Sequence, residues 1–277
     1  MFRWKRSPDP KAELRELIGE YQLPTFSTGA VETLRLLRED ADMNHVAERL
    51  LADPGLSVRI LKTVNSAAFG LRQEVSNLGH AVSLLGRSRV EALVLTAAVG
   101  DTLPAPAGID LDDFWDTSAR RACLARLIAK NRDPSVEMQA FTAGLLQDMA
   151  VPVLALSKPD VYPELYRSAA TEEGPPLHEV ERDSLGYDHA QVGAMMAESW
   201  DLPEGLITAI SDHHLSGERA PEPIEAVARL RHGESEDPLA ALRVHCVQSL
   251  GMEEQALEVI IETAAAESTS LAQSMRQ

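Results

Sequence analysis

Asp148, His189, His213 and His214 are the residues whose types could act together in this 277-residue chain. Imidazole nitrogens and carboxylate oxygens hold divalent cations, and the same groups also build buried hydrogen-bond networks. Helical spacing indicates where each one faces. Asp148 lies on the apolar stripe of Phe141, Leu145 and Pro152, and His189 shares a face with Val192 and Met196. His214 extends the stripe Leu206, Ile210, with His213 one position off it. Four helices would then turn polar groups toward one interior. That interior is either a pocket for a metal or small ligand, or an internal network. The network is the expectation, with an ionised Asp148 held by His189 or His214, because buried polar groups are almost always paired.

Other reactive side chains carry less. His45, His80, His178, His232 and His245 stand alone and read as ordinary surface or core histidines. Ser66, Ser184 and Ser211 lack the strand-turn-helix setting of a nucleophilic serine. Asn65-Ser66 reads as a helix-end cap. Glu172, Glu173, Glu179, Glu181 and Asp183 read as a solvated acidic face. Cys123 and Cys246 fit no zinc or redox spacing and read as small buried hydrophobes. No glycine loop of the kind that cradles phosphates occurs.

The elements behind these residues are helical. Apolar residues make up 44% of the chain and aromatic ones only 4%, a balance that favours helices. Leu56, Ile60, Leu61 and Val64 form one stripe, and Val90, Leu93, Val94, Ala97 and Ala98 form another. Asp53-Pro54 predicts an N-cap with proline at the first helical position. Gly86 ends the helix carrying Ala81, Val82 and Leu85. The breaker run Leu103-Pro104-Ala105-Pro106-Ala107-Gly108 predicts a boundary between two helical lobes. A second breaker region, Gly217 to Pro223, precedes a C-terminal helical extension. The expected division is a tail and first helix over 1–19, lobe one over about 20–103, a second lobe over about 109–215, and the extension over 216–277.

The formal net charge of −17 opposes a general nucleic-acid role. No apolar run reaches the length of a bilayer span, and the basic N-terminus lacks the apolar core of a secretory signal. Trp4 and its basic neighbours read as a frayed tail. A reducing, cytoplasmic setting is expected.

Phrases spread along the chain resemble the HDOD family. They are Leu23-Pro24, Asp53-Pro54-Gly55-Leu56-Ser57, Leu61-Lys62-Thr63-Val64-Asn65-Ser66-Ala67 and Ala81-Val82-Ser83-Leu84-Leu85-Gly86. The match continues through Ala143-Gly144-Leu145-Leu146-Gln147-Asp148, Gly186-Tyr187-Asp188-His189, Trp200-Asp201-Leu202-Pro203 and His213-His214. It runs over roughly 20–215. The resemblance implies an all-α, two-lobed bacterial signalling domain, an N-terminal helical bundle joined to a lobe like that of the HD phosphohydrolases. Those enzymes hold a water-activating metal with one histidine, a His-Asp pair and a late aspartate. Here the first histidine position is Thr117, the pair reads Gln147-Asp148, and the late position falls near Ala228. Neutral amide and hydroxyl oxygens are poor replacements for imidazole. The expected vestigial pocket is therefore Thr117, Gln147, Asp148, His189, His213 and His214, without catalytic residues, metal or other cofactor. The expected role is a non-catalytic regulatory module that binds a partner protein or a small signal. The alternative is a metal-dependent phosphohydrolase or cyclic-dinucleotide phosphodiesterase using the remaining Asp and His residues, some of which resemble ligands of the HD-GYP phosphodiesterases.

Overall fold

The computed structural model describes residues 10–19, 23, 25–71, 73–171, 174–215, 221–230 and 237–276. Trp4, Pro24, Glu172, Glu173, His232 and residues 217–220 lie outside the described residues. All regular structure among those described is helical.

The helices run α1 (Pro10–Ile18), α2 (Thr28–Arg38), α3 (Met43–Leu51), α4 (Pro54–Val64), α5 (Leu78–Leu85) and α6 (Arg87–Thr102). Then follow α7 (Leu111–Arg132), α8 (Glu137–Leu146), α9 (Ala150–Ser157), α10 (Tyr162–Ala169), α11 (Leu177–Leu185), α12 (His189–Ser199) and α13 (Glu204–Ser211). The last are α14 (Glu222–Val227), α15 (Ala240–Gln248) and α16 (Glu254–Met275). α2 to α6 pack on one another as an N-terminal bundle. Asp53 caps α4 by accepting from the Leu56 amide, and Gly86 closes α5 at φ +76°. Asn65 ends α4 and closes the following loop, its amide nitrogen donating to the Leu61 and Val75 carbonyls while its oxygen accepts from the Val75 amide. The apolar stripe of α6 is buried throughout.

The second group is built on α7. α8 lies close against it because Gly144 has no side chain, and a Cβ there would sit 2.9 Å from the Arg121 carbonyl oxygen. α16 runs along α7 and also touches α4, burying Leu257, Ile261, Ala264, Leu271 and Ala272. Ion pairs from Arg126 to Glu267 and from Arg276 to Asp116 fix it in place. The two groups meet at Phe69 against Phe141 and at Phe26 against Trp200, whose ring centroids are 5.5 and 4.6 Å apart.

The stretch Pro134–Ser157 corrects one reading of the sequence, since by length and composition it could cross a membrane. Its most apolar window is 89% buried inside the fold, as expected for core helices. Cys123 and Cys246 are free and buried, and burial pushes the Cys123 thiol up to about 12.

Candidate functional site

Local chain chemistry delivers each side chain. α8 stops at Leu146 and α9 begins at Ala150, so Asp148 sits in the turn between them and not on one continuous helix. Gly186, at φ +83°, ends α11. Asp188 then caps α12 through a reciprocal box: its carboxylate accepts from the Gln191 amide, and the Gln191 side chain accepts from the Asp188 amide. That cap makes His189 the first residue of α12. Its backbone N–H, which has no partner within a helix at that position, donates to Glu181 at 2.9 Å.

The helical extrapolation fails at the end of α13. The helix stops at Ser211, so the stripe through Leu206 and Ile210 does not reach His214. His213 is the fully buried one, and His214 is only partly buried. The Nδ1–H of His213 donates to the Ile210 carbonyl at 2.7 Å, which directs its Nε2 toward Asp148 Oδ1 at 3.4 Å.

Asp148 is held first by a residue that the sequence reading missed. Arg121, from the middle of α7, donates through Nη1 to Asp148 and through Nη2 to the Leu230 carbonyl just beyond α14. Both ionic side chains are almost fully buried, at 3% and 4% exposure. His189 Nε2 lies 3.5 Å from Asp148 Oδ1 and 2.9 Å from His214 Nε2. His189 Nδ1 donates to Glu181 Oε2 at 2.6 Å, and the Tyr162 hydroxyl donates to the other Glu181 oxygen. Glu181 is therefore a fully buried member of the network, which corrects its reading as part of a solvated face. His178 is corrected too: it stacks on His214 with ring centroids 3.8 Å apart. His245 is buried, 3.9 Å from Glu225, whereas His45 and His80 are exposed as expected.

Electrostatics sort these groups. Burial opposes the charge on Asp148, but the Arg121 guanidinium and His189 outweigh it and hold the carboxyl well below its usual range. Burial likewise opposes the His189 charge, but Glu181 and Asp148 outweigh it and raise that imidazole well above its usual value. For His214, burial and the surrounding imidazoles His213, His189 and His178 all act downward. Burial and His189 push His178 down to about 4. A protonated His189 thus donates to Glu181 and to the neutral His214.

These groups line a cavity of about 310 Å³. Asp148, His189, His213 and His214 all face it, together with Arg121, His178, Arg229 and Glu225. Ala228, where the resemblance puts a late aspartate, also lines it without a carboxylate. Thr117 and Gln147 are buried but are not among its lining residues. The hydrolytic metal of the HD enzymes does not fit this donor set. Thr117 and Gln147, where the resemblance puts imidazoles, do not line the cavity, and the Asp148 carboxylate is ion-paired to Arg121.

Comparison with known proteins agrees with the architecture. A Treponema pallidum protein of uncharacterized function is 26% identical over 194 residues, covering 69% of this chain but only 37% of its own length. A crystal structure of a candidate phosphohydrolase from Shewanella amazonensis superposes with a TM-score of 0.77 at 25% identity, over 96% of this chain and 98% of that one. An HDOD domain protein of unknown function from Geobacter sulfurreducens gives 0.74 at 22%, over 96% and 97%. The family model of the HDOD domain matches residues 23–216, and on that match this chain belongs to the HDOD family.

Proposed function

We propose that the chain is a non-catalytic regulatory module whose cavity receives a small signal and whose helical surface passes that state to a partner protein. The observation that carries this reading is the Arg121–Asp148 pair. A guanidinium supplies, from within the protein, the positive charge that a hydrolytic site would take from a metal. Such a cation cannot activate water, and it repels a second cation brought to the same carboxylate. The family membership supports the reading.

A second reading rests on a specific observation. One ring nitrogen from each of His189, His213 and His214 lies within 4.8 Å of the others. Nδ1 of His189 and of His213 is anchored by Glu181 and by the Ile210 carbonyl, the outer support that metal-binding histidines usually have. One experiment separates the two readings. Purified protein is assayed for turnover of cyclic dinucleotides and simple phosphodiesters, and for thermal stability, with added manganese and zinc. We expect no turnover and no metal-dependent rise in Tm. Metal-dependent turnover or stabilisation that disappears in Asp148→Ala would replace the regulatory reading by the metal-site reading.

A further inference from the structure

A second cleft lies between the N-terminal bundle and the helices packed on α7. Its volume is about 600 Å³, within the range of about 300–1,000 Å³ typical of small-molecule sites, which gather at such junctions. It shares no lining residue with the cavity behind α7. One wall is the face of α6 that carries Ser88, Ala92 and Leu95. The other is built from Met138 and Thr142 of α8 and from Leu206 of α13.

Two opposite charges, Arg89 and Glu91, flank that face of α6, and both line the cleft. Arg89 makes no hydrogen bond among the described residues. Its ion-pair partner, Glu137, is 3.9 Å away and is already engaged by Arg126 at 3.0 Å. Glu91 has neither a hydrogen bond nor an ion pair among the described residues. The cations that bear on it are committed elsewhere: Arg38 to Asp201 at 3.1 Å, and Arg87 to the Leu37 and Ala41 carbonyls, each at 2.7 Å. Burial outweighs both of them and raises the Glu91 carboxyl above its ordinary value. Arg89 and Glu91 cannot satisfy each other, because residues two apart on a helix do not face one another.

The chemistry of an occupant follows. Arg89 presents a forked donor that suits a carboxylate. Glu91 presents an acceptor that suits an ammonium. Between them Ala92 and Leu95 offer an apolar floor for a short hydrocarbon span. A plain anion would meet Glu91 across the same face, and a plain cation would meet Arg89. A molecule with both charges answers both and is favoured over either half.

We propose that this cleft binds a small zwitterion, an amino acid or dipeptide, with its carboxylate on Arg89 and its ammonium on Glu91. The site goes beyond the regulatory reading of the cavity behind α7, and its failure would leave that reading standing. It also bears on that cavity, because α8 and α13 run from the cleft to the turn of Asp148 and to His213.

The test uses the full chain with β-alanine and glycylglycine as two-ended probes, and with propionate and propylamine as single-ended controls at equal ionic strength. Thermal unfolding and hydrogen exchange of residues 87–92, 137–142 and 204–206 are followed together. A ligand of the folded chain raises its stability by mass action. We expect at least one two-ended probe to raise Tm by several degrees and to slow exchange on both walls, while propionate and propylamine, alone or together, do neither. The response should vanish in Arg89→Gln and in Glu91→Gln and return in part in Arg89→Lys and Glu91→Asp. Without probe these variants should unfold near the wild-type temperature, since neither side chain has a hydrogen bond to lose. A response to β-alanine alone assigns a short span between the charges, and to glycylglycine alone a longer one. Silence of both probes, an equal response to propionate, or a response that survives either glutamine variant overturns the proposal.

Discussion

The N-terminal bundle and the interior behind α7 are built from the same kind of helix but filled differently. In the bundle the buried residues are Leu34, Val46, Leu50, Ile60, Val64, Leu93 and Val94. Two of its buried hydroxyls are settled locally: Thr33 donates to the Gly29 carbonyl and Thr96 to that of Ala92, each at 2.7 Å. Its ion pairs stay outside, as with Arg35 and Glu39, which are more than half exposed. Behind α7, Arg121, Asp148, Glu181, His189 and His213 are all buried. Burying ions costs several kcal/mol per charge before pairing returns any of it. The bundle shows that apolar packing alone can close an interior in this chain. The charges behind α7 are therefore better explained by what the cavity does than by a need for stability.

The largest test of this contrast is Asp148→Ala. It strands the buried Arg121 guanidinium, and breaking a buried pair in this way typically costs about 3–5 kcal/mol. Urea unfolding should show a loss of that size. A loss below about 1 kcal/mol would mean that water reaches Arg121 and that the interior is not dry.

Leu93→Ala is the matching deletion in the bundle. Leu93 is 1% exposed, and truncating such a leucine costs about 2–5 kcal/mol. The loss should be the same at pH 5 and pH 7, because no titrating group is involved. A pH-dependent loss would erase the distinction between the two interiors.

The smallest expected effect is a change of slope. His178 is held down to about 4, by burial and then by His189, whereas a free histidine titrates near 6.5. Between those values the unfolded chain binds the proton and the folded chain does not, so stability falls as pH drops through that window. His214 acts in the same direction. His189 is raised, so its contribution is complete below the unfolded value and is lost at higher pH. Asp148 is lowered, so its contribution is lost only as pH falls below the usual carboxylate range. His178→Gln should therefore flatten the decline of the urea midpoint between pH 7 and pH 5. An unchanged decline would assign the slope to other groups.

Much of this was legible in the sequence, for physical reasons. Asp53-Pro54, Gly86 and the stripe of α6 are local signals, and local signals fix helices. His189 faces inward with Val192 and Met196 as their spacing on α12 suggests, whereas Asp148 and His214 reach the cavity from beyond the ends of the helices whose stripes were extended to them. Arg121 was not legible, although it lies one helical turn after Thr117 and one before Ala125, on a face that also carries Ile128. An arginine on such a face is the signal that could have revealed it. Glu181 and His178 were misread because their neighbours in sequence are exposed, and only the fold brings Tyr162 and His189 to one and His214 to the other. The burial order of His213 and His214 was inverted because periodicity was carried past the end of α13.

The long strap α16 has a consequence in time. It covers α7 and reaches back to α4 and to the Ala67 amide, to which Ser270 lies 3.3 Å away. On a ribosome adding about 5–20 residues per second, α7 emerges on the order of ten seconds before its cover does. Through that interval the apolar groove that will receive Leu257, Ile261 and Leu271 faces solvent. The nascent chain is most vulnerable to aggregation then, after its domain has been made and before its strap has arrived.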